Sequence, residues 1–390
     1  MENLDKIFVL EEKALKKERE DFVYGTYDYT KDNIYKKVDN FLIDHSKISL
    51  KEKSYFFSLL AVMIDSGVGM MKSLKILAKR AKSERFYRII NTLAYDVERG
   101  KKLSDAMSRF PDIFTDAERG VISSGEAVGN LDQMLERLAK QVERTSELVS
   151  KVKSALIYPI TVLVALVVAG VIMMVMVVPT LIRLFAESNI ELPLSTRTLI
   201  GVSFFVSDYW WVIAVLIVFA VLLLRVYVSS PAGRFKWDLF KLKIPIYGNL
   251  LKKVIVFRFV SLLGVLLESG FPIADSLDIV AKALGNELYR VSLMDVKKKV
   301  VAGETISENL KKMTFLFPNT LSSMISIGEK SAAIGLVSRK ISNQYDREID
   351  TSLKGLTSVL EPVVIVIVGL TVGLLALSIL GPIFSLSEQL

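Results

Sequence analysis

Apolar residues recur three and four positions apart through much of residues 51–154. They include Leu59, Leu60, Met63, Ile64, Phe86, Ile89, Ile90 and Leu93. This spacing predicts amphipathic helices, and no strand-like alternation of useful length interrupts it. We expect Gly67 to break the first helix and Gly100 to end a later one. Ser104 is expected to be the N-cap of the short helix that follows.

Three stretches lack charged side chains over a length that suits a membrane. Residues 155–178 form an uncharged run of 24 residues, and residues 362–387 form one of 26. Both exceed the ~20 residues that cross ~30 Å of hydrocarbon. Residues 209–224 reach that length when extended back to residue 199, with Asp208 and an aromatic belt at the interface. The sequence therefore predicts an all-α membrane protein with three transmembrane helices.

These patterns divide the chain into alternating charged and apolar segments. In order, we expect a polar cytoplasmic segment (1–50), a cytoplasmic helical module (51–154), a first span (155–179), a short outer loop (180–198), a second span (199–224), a second cytoplasmic module (225–361), a third span (362–384) and an outer tail (385–390). The first segment reads as a charged helix, a tyrosine-rich turn and a linker. Both modules are expected to be antiparallel helical bundles.

Basic residues are distributed unevenly around the predicted spans. Residues 1–157 carry 28 lysines and arginines and residues 225–360 carry 20, whereas residues 179–208 carry two. Cytoplasmic loops of membrane proteins carry such an excess. We therefore expect a multi-pass protein with its N-terminus in the cytoplasm and its C-terminus outside. The first 20 residues are charged and lack an apolar core, so no signal peptide is expected.

The two charged modules match each other at a constant offset of 203 residues. Matching pairs include Ser66-Gly67 with Ser269-Gly270, Gly100 with Gly303, Gly125-Glu126 with Gly328-Glu329, and Pro159 with Pro362. An ungapped register over ~130 residues indicates an internal duplication. Each copy is a module followed by one span, and the second span returns the chain to the cytoplasm. The copies are then parallel, related by an axis along the membrane normal.

Composition lowers the expectation of an enzyme. The 390 residues include no cysteine and one histidine, His45. Zinc sites built from several such residues are excluded, and Cys–His or Ser–His–Asp catalysis would depend on His45 alone. We expect no cofactor and no metal. The net charge of +8 is carried by lysines and arginines on the cytoplasmic side, interleaved with acids. Topology therefore explains it, and nucleic-acid binding is not expected.

Repeated or specially placed residues are the structural or interface candidates: Gly67, Gly100, Gly125, Glu126, Pro159, Gly270, Gly303, Gly328, Glu329, Pro362, Gly369 and Gly373. Two roles stay open for the Gly-Glu pairs, namely packing and capping within the bundle or contact with a partner. The prolines suit the first turn of a helix and are expected to mark the membrane entries. The GxxxG pair in the third span favours close span packing or dimerisation.

The duplicated order of motifs resembles a known family. A helical module with Ser-Gly, Gly and Phe-x₁₀-Gly-Glu, followed by a proline-led span and occurring twice, is similar to the F-type platform proteins of type II secretion and type IV pilus assembly, the GspF/PilC family. The resemblance covers residues 55–385. Residues 1–50 lack the family's usual glycine-marked start. The second copy has Ala332 where the first has Gly129.

The resemblance implies a scaffold in the cytoplasmic (inner) membrane. It would couple a cytoplasmic hexameric ATPase to insertion of pilin or pseudopilin subunits into a filament, together with other inner-membrane assembly proteins and membrane lipid. It implies no catalytic residues, and a homo-oligomer is expected. The alternatives are a transporter and a signalling subunit. No charged side chain lies within spans one and three, and the predicted outer loop is short, so both alternatives are less favoured.

Overall fold

The structure is a computed structural model that describes residues 22–27, 33–172, 194–245 and 247–387. Helices and the turns that join them make up these ranges, and no strand occurs in them. The all-α expectation is therefore confirmed. Four predicted segments lie partly outside the described residues: the N-terminal segment (1–21 and 28–32), the end of the first span (173–179), most of the outer loop (180–193) and the end of the outer tail (388–390).

Seven helices form the first half of the described chain. They are α1 (Ile34–His45), α2 (Leu50–Asp65), α3 (Met70–Arg80), α4 (Glu84–Glu98), α5 (Leu103–Met107), α6 (Asp116–Val128) and α7 (Leu131–Ile172). The N-cap side chains of α2, α4 and α6 each accept a hydrogen bond from a backbone N–H in the first turn of the helix. These residues are Ser49, Ser83 and Thr115. Helix α1 was not predicted, because its region was read as a turn and linker.

The second half repeats this plan. Its helices are α8 (Leu194–Ser229), α9 (Pro231–Lys243), α10 (Tyr247–Glu268), α11 (Ile273–Ala283), α12 (Glu287–Val301), α13 (Ile306–Lys311), α14 (Asn319–Lys330) and α15 (Ile334–Ser387). Each helix from α11 to α15 begins 203 residues after its counterpart in α3 to α7. The offset found in the sequence is therefore the offset of the fold.

The chain divides into two compact units. The first comprises Met1–Val149 and Lys252–Asp346, and the second comprises Ser150–Leu251 and Arg347–Leu390. The larger part of each helical module belongs to the first unit, and aromatic rings fill the module cores. Phe56, Phe86 and Phe114 pack together in the first module, and Phe259, Tyr289 and Phe317 pack at the equivalent positions of the second. All six side chains are buried.

The second unit contains apolar helical segments. Among the described residues, α7 is long and apolar enough to cross a membrane. A pair formed by Val218–Ser229 and α9, bent by 108° at the break between them, also passes this test. The uncharged residues 362–387 lie within the last part of α15. An ion pair of 3.0 Å between Lys151 and Asp350 joins α7 to α15. The predicted count of three spans stays a prediction.

Two local expectations were wrong. Pro159 and Pro362 lie inside α7 and α15, well beyond the first turn, because each module's last helix continues into the apolar segment without a break. An interior proline removes one backbone hydrogen bond of its helix. Ser104 is not an N-cap, since it lies inside α5, and a distant carboxylate binds the backbone N–H groups at the start of that helix.

Candidate functional site

Glu126 of the first Gly-Glu pair binds the start of α5. We call each Gly-Glu pair, together with the helix ends that it contacts, a Gly-Glu junction. The Glu126 carboxylate accepts from the backbone N–H of Leu103 at 2.6 Å and of Ser104 at 3.3 Å, and from the Ser104 hydroxyl at 2.5 Å. The first N–H groups of a helix lack partners within the helix and favour a negative charge. Glu126 on α6 therefore anchors a helix that lies more than twenty residues earlier in the chain.

Glu329 makes the same connection in the second module. Its carboxylate accepts from the backbone N–H of Ile306 at 2.5 Å and of Ser307 at 3.1 Å. Glu329, Ile306 and Ser307 each lie 203 residues after their counterparts Glu126, Leu103 and Ser104. The recurrence of the Gly-Glu pair thus coincides with a recurrent connection, between α5 and α6 in the first module and between α13 and α14 in the second.

The glycine of each pair lets the last helix of the module approach closely. A Cβ atom built on Gly125 would lie 3.1 Å from the Cα of Leu131, and one built on Gly328 would lie 3.0 Å from the Cα of Ile334. Contacts this short require something to shift, and backbone atoms shift with difficulty. The two glycines therefore place the beginnings of α7 and α15 directly against α6 and α14.

Turn geometry accounts for four further glycine candidates of the two modules. Gly67, Gly100, Gly270 and Gly303 all have φ between +77° and +96°, a conformation that favours glycine. Gly129, which ends α6, has φ +78°, and its counterpart Ala332 adopts φ +51°. The substitution noted in the sequence is thus accommodated by a left-handed alanine and leaves the turn in place.

Open space surrounds the two glycine candidates of the last apolar segment. A Cβ atom built on Gly369 or Gly373 would have no neighbour within 4 Å among the described residues. Pro362 is exposed, and Pro159 lies within α7. The described chain also contains no group of three or more His, Cys, Asp or Glu side chains able to hold a metal.

The two modules differ in the side chain that donates to one buried backbone carbonyl, a difference that the sequence did not indicate. In the first module, the Lys53 ammonium donates to the carbonyl of Ile113 and lies 2.6 Å from the Glu118 carboxylate. In the second module, the hydroxyl of Tyr289 donates to the equivalent carbonyl of Leu316 at 2.8 Å. The Thr115-x-x-Glu118 pattern, a capping-box signature, was a signal that could have marked Glu118.

Residues 22–27 bind the first module, which the sequence did not indicate. The Asn91 side chain donates to the carbonyl of Phe22 at 2.9 Å, and the backbone N–H of Tyr24 donates to Thr92 at 2.9 Å. The Arg88 guanidinium lies 4.0 Å from the centre of the Phe22 ring. This short segment therefore covers one face of α4.

Arg109 links the same segment to a buried carboxylate. Its guanidinium donates to the carbonyl of Tyr24 at 2.6 Å and to Asp96 at 2.7 Å. Burial acts to raise the pKa of Asp96, but hydrogen bonds and charges from Arg109 and Lys101 outweigh it and hold that pKa below its ordinary value.

The two modules meet through α6 and α7 of the first and α10 and α11 of the second. The Ser261 hydroxyl donates to Gln141 at 2.5 Å, and the Ser124 hydroxyl donates to the carbonyl of Ser269 at 2.7 Å. Arg137 donates to the carbonyl of Glu268 at 2.8 Å, and its guanidinium lies 3.8 Å from the Glu268 carboxylate. These hydrogen bonds and this ion pair form the polar part of the contact.

A small residue allows the closest approach across this contact. A Cβ atom built on Gly120 would lie 3.0 Å from the ring of Phe271 and 3.8 Å from Ile279. The Phe271 ring therefore packs directly on the backbone of α6. This pairing of a glycine with an aromatic side chain supplies the apolar part of the contact.

The geometry defines a class of protein: an all-α chain in which a helical module, closed by a Gly-Glu junction, occurs twice and each time continues into a long helix with an apolar segment. The family model described as type II secretion system (T2SS) protein F matches residues 56–179 and 259–382. These two matches begin and end 203 residues apart. The chain belongs to this family.

Named relatives cover most of the chain. The type IV pilus assembly protein PilC of Myxococcus xanthus is 34% identical over 337 residues, which are 86% of this chain and 81% of that protein. PilC of Thermus thermophilus is 33% identical over 86% of this chain and 83% of its own length. Type II secretion system protein F of Pseudomonas aeruginosa is 28% identical over 87% of this chain and 84% of its own length.

Proposed function

We propose that this protein is an inner-membrane platform for assembly of a type IV pilus or a type II secretion pseudopilus. In this proposal it couples a cytoplasmic hexameric ATPase to insertion of pilin or pseudopilin subunits into the filament. The family match and the names of the relatives support assembly or secretion as the process. The protein would act mechanically and would catalyse no reaction itself.

The membrane arrangement forms part of the same proposal. Three spans, at residues 155–179, 199–224 and 362–384, would hold both modules in the cytoplasm, with the C-terminus outside. The bias of basic residues supports this orientation, and the apolar helix α7 supports membrane insertion. Gly369 and Gly373 have no close neighbour among the described residues, so this surface is available to another helix or to lipid.

One observation carries the mechanical part of the proposal: each Gly-Glu junction is followed by a helix that continues without interruption into an apolar segment. Helix α7 has 42 residues and α15 has 54. At ~1.5 Å per residue, α7 extends on the order of 60 Å. A force applied to the module at the junction would therefore reach the apolar segment through a continuous backbone.

A hinge introduced into α7 tests this coupling. We would replace Lys153 and Ser154 together by glycine, or by alanine as the matched control, in a strain that lacks the native gene. Two glycines lower helix stability by roughly 2 kcal/mol relative to two alanines. We expect the glycine variant to reach normal abundance in the membrane but to assemble few filaments, whereas the alanine variant assembles normal numbers.

Two comparisons distinguish force transmission through α7 from a need for the protein to be present in the membrane. Deletion of the whole chain should abolish filaments while synthesis of the filament subunit continues. Equal filament numbers from the glycine and alanine variants, at equal abundance, would refute transmission through α7. Normal filament assembly in the deletion strain would refute the platform function itself.

A further inference from the structure

Helix α9 turns sharply away from the apolar helix that precedes it. The axis bends by 108° between Val218–Ser229 and α9, which is 18° beyond a right angle. Ser230 caps α9 by accepting from the backbone N–H of Gly233 at 3.1 Å, and Pro231 occupies the first turn. A Cβ atom built on Gly233 would overlap the carbonyl oxygen of Tyr227. Close backbone packing therefore fixes the bend.

The charges of α9 separate it from the apolar helix before it. Its 13 residues include one acid, Asp238, which is buried and lies 2.5 Å from the ammonium of Lys241. Its three other basic residues, Arg234, Lys236 and Lys243, are exposed and take part in no ion pair among the described residues. A helix this rich in charge does not enter hydrocarbon. We therefore do not regard α9 as the second half of a broken span.

An aromatic pair lies in the middle of the exposed face of α9. The rings of Trp237 and Phe240 stack with their centres 5.8 Å apart, and 56% of Phe240 is exposed. At about 100° per residue, Lys236 and Lys243 lie on one side of this pair and Arg234 lies on the other. The exposed face of α9 is thus aromatic along its centre and positively charged along both edges.

This pattern fits a lipid surface that carries negative charge. Helices that lie in the membrane interface place aromatic rings at the acyl boundary, while lysine and arginine side chains extend to the headgroups. The end of α8, which leads directly into α9, exposes apolar side chains such as Val218, Phe219 and Leu222. An apolar surface therefore continues up to the bend, and the positive edges of α9 complement anionic headgroups just beyond it.

We propose that α9 lies flat on the cytoplasmic surface of the membrane and binds anionic phospholipid. Trp237 and Phe240 insert between the lipids, and Arg234, Lys236 and Lys243 bind headgroup phosphates. The inference rests on the proposed membrane arrangement, in which residues 199–224 form the second span. An upright span then leaves α9 close to the membrane plane, because the bend is near a right angle. The anchored helix would fix the height at which the second module begins.

Tryptophan fluorescence tests the position of α9 in the full chain. The protein has three tryptophans, so replacement of Trp210 and Trp211 by phenylalanine leaves Trp237 alone. This chain would be reconstituted in vesicles of phosphatidylcholine with brominated acyl chains, with or without about 30 mol% phosphatidylglycerol. We expect bromine to quench Trp237, and phosphatidylglycerol to strengthen the quenching roughly twofold. Salt at about 1 M should remove most of this gain, because it screens surface charge.

Charge variants show which side chains produce the gain. The variant with Arg234→Gln, Lys236→Gln and Lys243→Gln should lose it, whereas exchange of arginine and lysine at these positions should keep it. The matched control removes three exposed lysines of the first module and should behave as the parent chain. Its substitutions are Lys51→Gln, Lys72→Gln and Lys102→Gln. Equal quenching with and without phosphatidylglycerol, or a gain that survives loss of the three α9 charges, would overturn the proposal.

A second measurement separates this inference from the membrane arrangement on which it rests. Val215→Cys introduces a thiol on an exposed side of α8 into a chain without cysteine. In intact vesicles, a span would shield this thiol from a membrane-impermeant maleimide. A shielded thiol together with an unquenched Trp237 would overturn the placement of α9 and leave the second span intact. A reactive thiol would overturn the second span, and the inference with it, whereas filament assembly tests the platform function separately.

Discussion

The ammonium of Lys53 lies 2.6 Å from the carboxylate of Glu118, and both side chains are more than nine-tenths buried. Lys53 also satisfies the carbonyl of Ile113. The second module has Val256 and Leu321 at the positions of this pair. There Tyr289 satisfies the equivalent carbonyl in place of a lysine. The same buried carbonyl thus receives its hydrogen bond from a lysine in one module and from a tyrosine in the other.

Removal of one partner of the ion pair should destabilise the first module strongly. Glu118→Leu leaves the buried Lys53 without its counter-ion and removes the half of the α6 capping box in which the Glu118 carboxylate accepts from the backbone N–H of Thr115. Loss of one partner of a buried pair costs about 3–5 kcal/mol. We expect a marked fall in the thermal unfolding temperature of the purified chain in mild detergent. An exposed pair, tested by Glu136→Leu beside Lys140, should change the unfolding temperature far less, because solvent screens it.

Introducing the second module's residues at the equivalent positions of the first should recover most of this lost stability. The triple variant Lys53→Val, Glu118→Leu and Phe86→Tyr reproduces Val256, Leu321 and Tyr289. An apolar replacement of a buried ion pair is often neutral or stabilising. We expect the same variant without Phe86→Tyr to be about 1–3 kcal/mol less stable, because the carbonyl of Ile113 would lack a donor. Equal stability of these two variants would contradict the proposed role of the hydroxyl.

Tyr289 should make the second module sensitive to alkali. Burial, with a smaller effect of Tyr345, raises the pKa of Tyr289 far above its ordinary value. The unfolded chain then loses this proton first, so the stabilisation is complete below about pH 10 and falls as pH rises further. We expect Tyr289→Phe to be about 1–2 kcal/mol less stable near neutral pH.

The pH dependence distinguishes ionisation from packing. The stability difference between the wild type and Tyr289→Phe should shrink as pH rises above about 10, because only the wild type loses stability through this group. Urea unfolding of the full chain in detergent at a series of pH values would measure it. A difference that stays constant up to pH ~11 would show that the hydroxyl does not titrate on unfolding.

The sequence predicted what depends on periodicity and repetition. Helix type and the Gly67 and Gly100 turns follow from local spacing, and the offset of 203 follows from the repeated motifs. The structure and the family match confirm them. The role of Ser104 did not follow, because the group that binds the start of α5 is Glu126, 22 residues away. Contacts of Phe22 with α4 were equally inaccessible, since no pattern in the sequence relates these distant positions.

Ala332 should carry a local strain that glycine relieves. It adopts φ +51°, where alanine is disfavoured by roughly 1–2 kcal/mol. Glycine has more freedom in the unfolded chain, which offsets part of this gain. We therefore expect Ala332→Gly to stabilise the protein by about 0.5–1 kcal/mol. The reciprocal variant Gly129→Ala, at φ +78°, should destabilise it by a similar amount or more. Parallel thermal unfolding would check both, and stabilisation by Gly129→Ala would contradict the explanation.

The two Gly-Glu junctions should respond to the same substitutions. Glu126→Gln and Glu329→Gln keep an acceptor oxygen but lose the negative charge that faces the helix start. We expect each to destabilise by about 0.5–2 kcal/mol. The control Glu304→Gln removes an exposed carboxylate that pairs with Lys312, and its effect should be smaller. A larger shift for the control would indicate that the junction charge has no special role.

Gly125→Ala and Gly328→Ala test the second element of each junction. The added methyl group would meet the backbone at the start of α7 or α15. Overpacking of this kind costs about 1–3 kcal/mol. Gly355 offers a matched control in α15, because a Cβ atom there has no neighbour within 4 Å among the described residues. Gly355→Ala should be neutral or slightly stabilising, and equal effects at all three positions would refute the close-approach explanation.

Acid should release residues 22–27 from the first module. Arg109 and Lys101 hold the pKa of Asp96 below its ordinary value despite burial, so this carboxylate stabilises the fold fully above about pH 4 and loses its contribution as pH falls further. Asp96→Asn should flatten this part of the pH profile and weaken the Arg109 bond to Tyr24. Limited proteolysis should then cut before α1 faster than in the exposed control Asp39→Asn. Equal cleavage rates would show that Asp96 does not hold the segment.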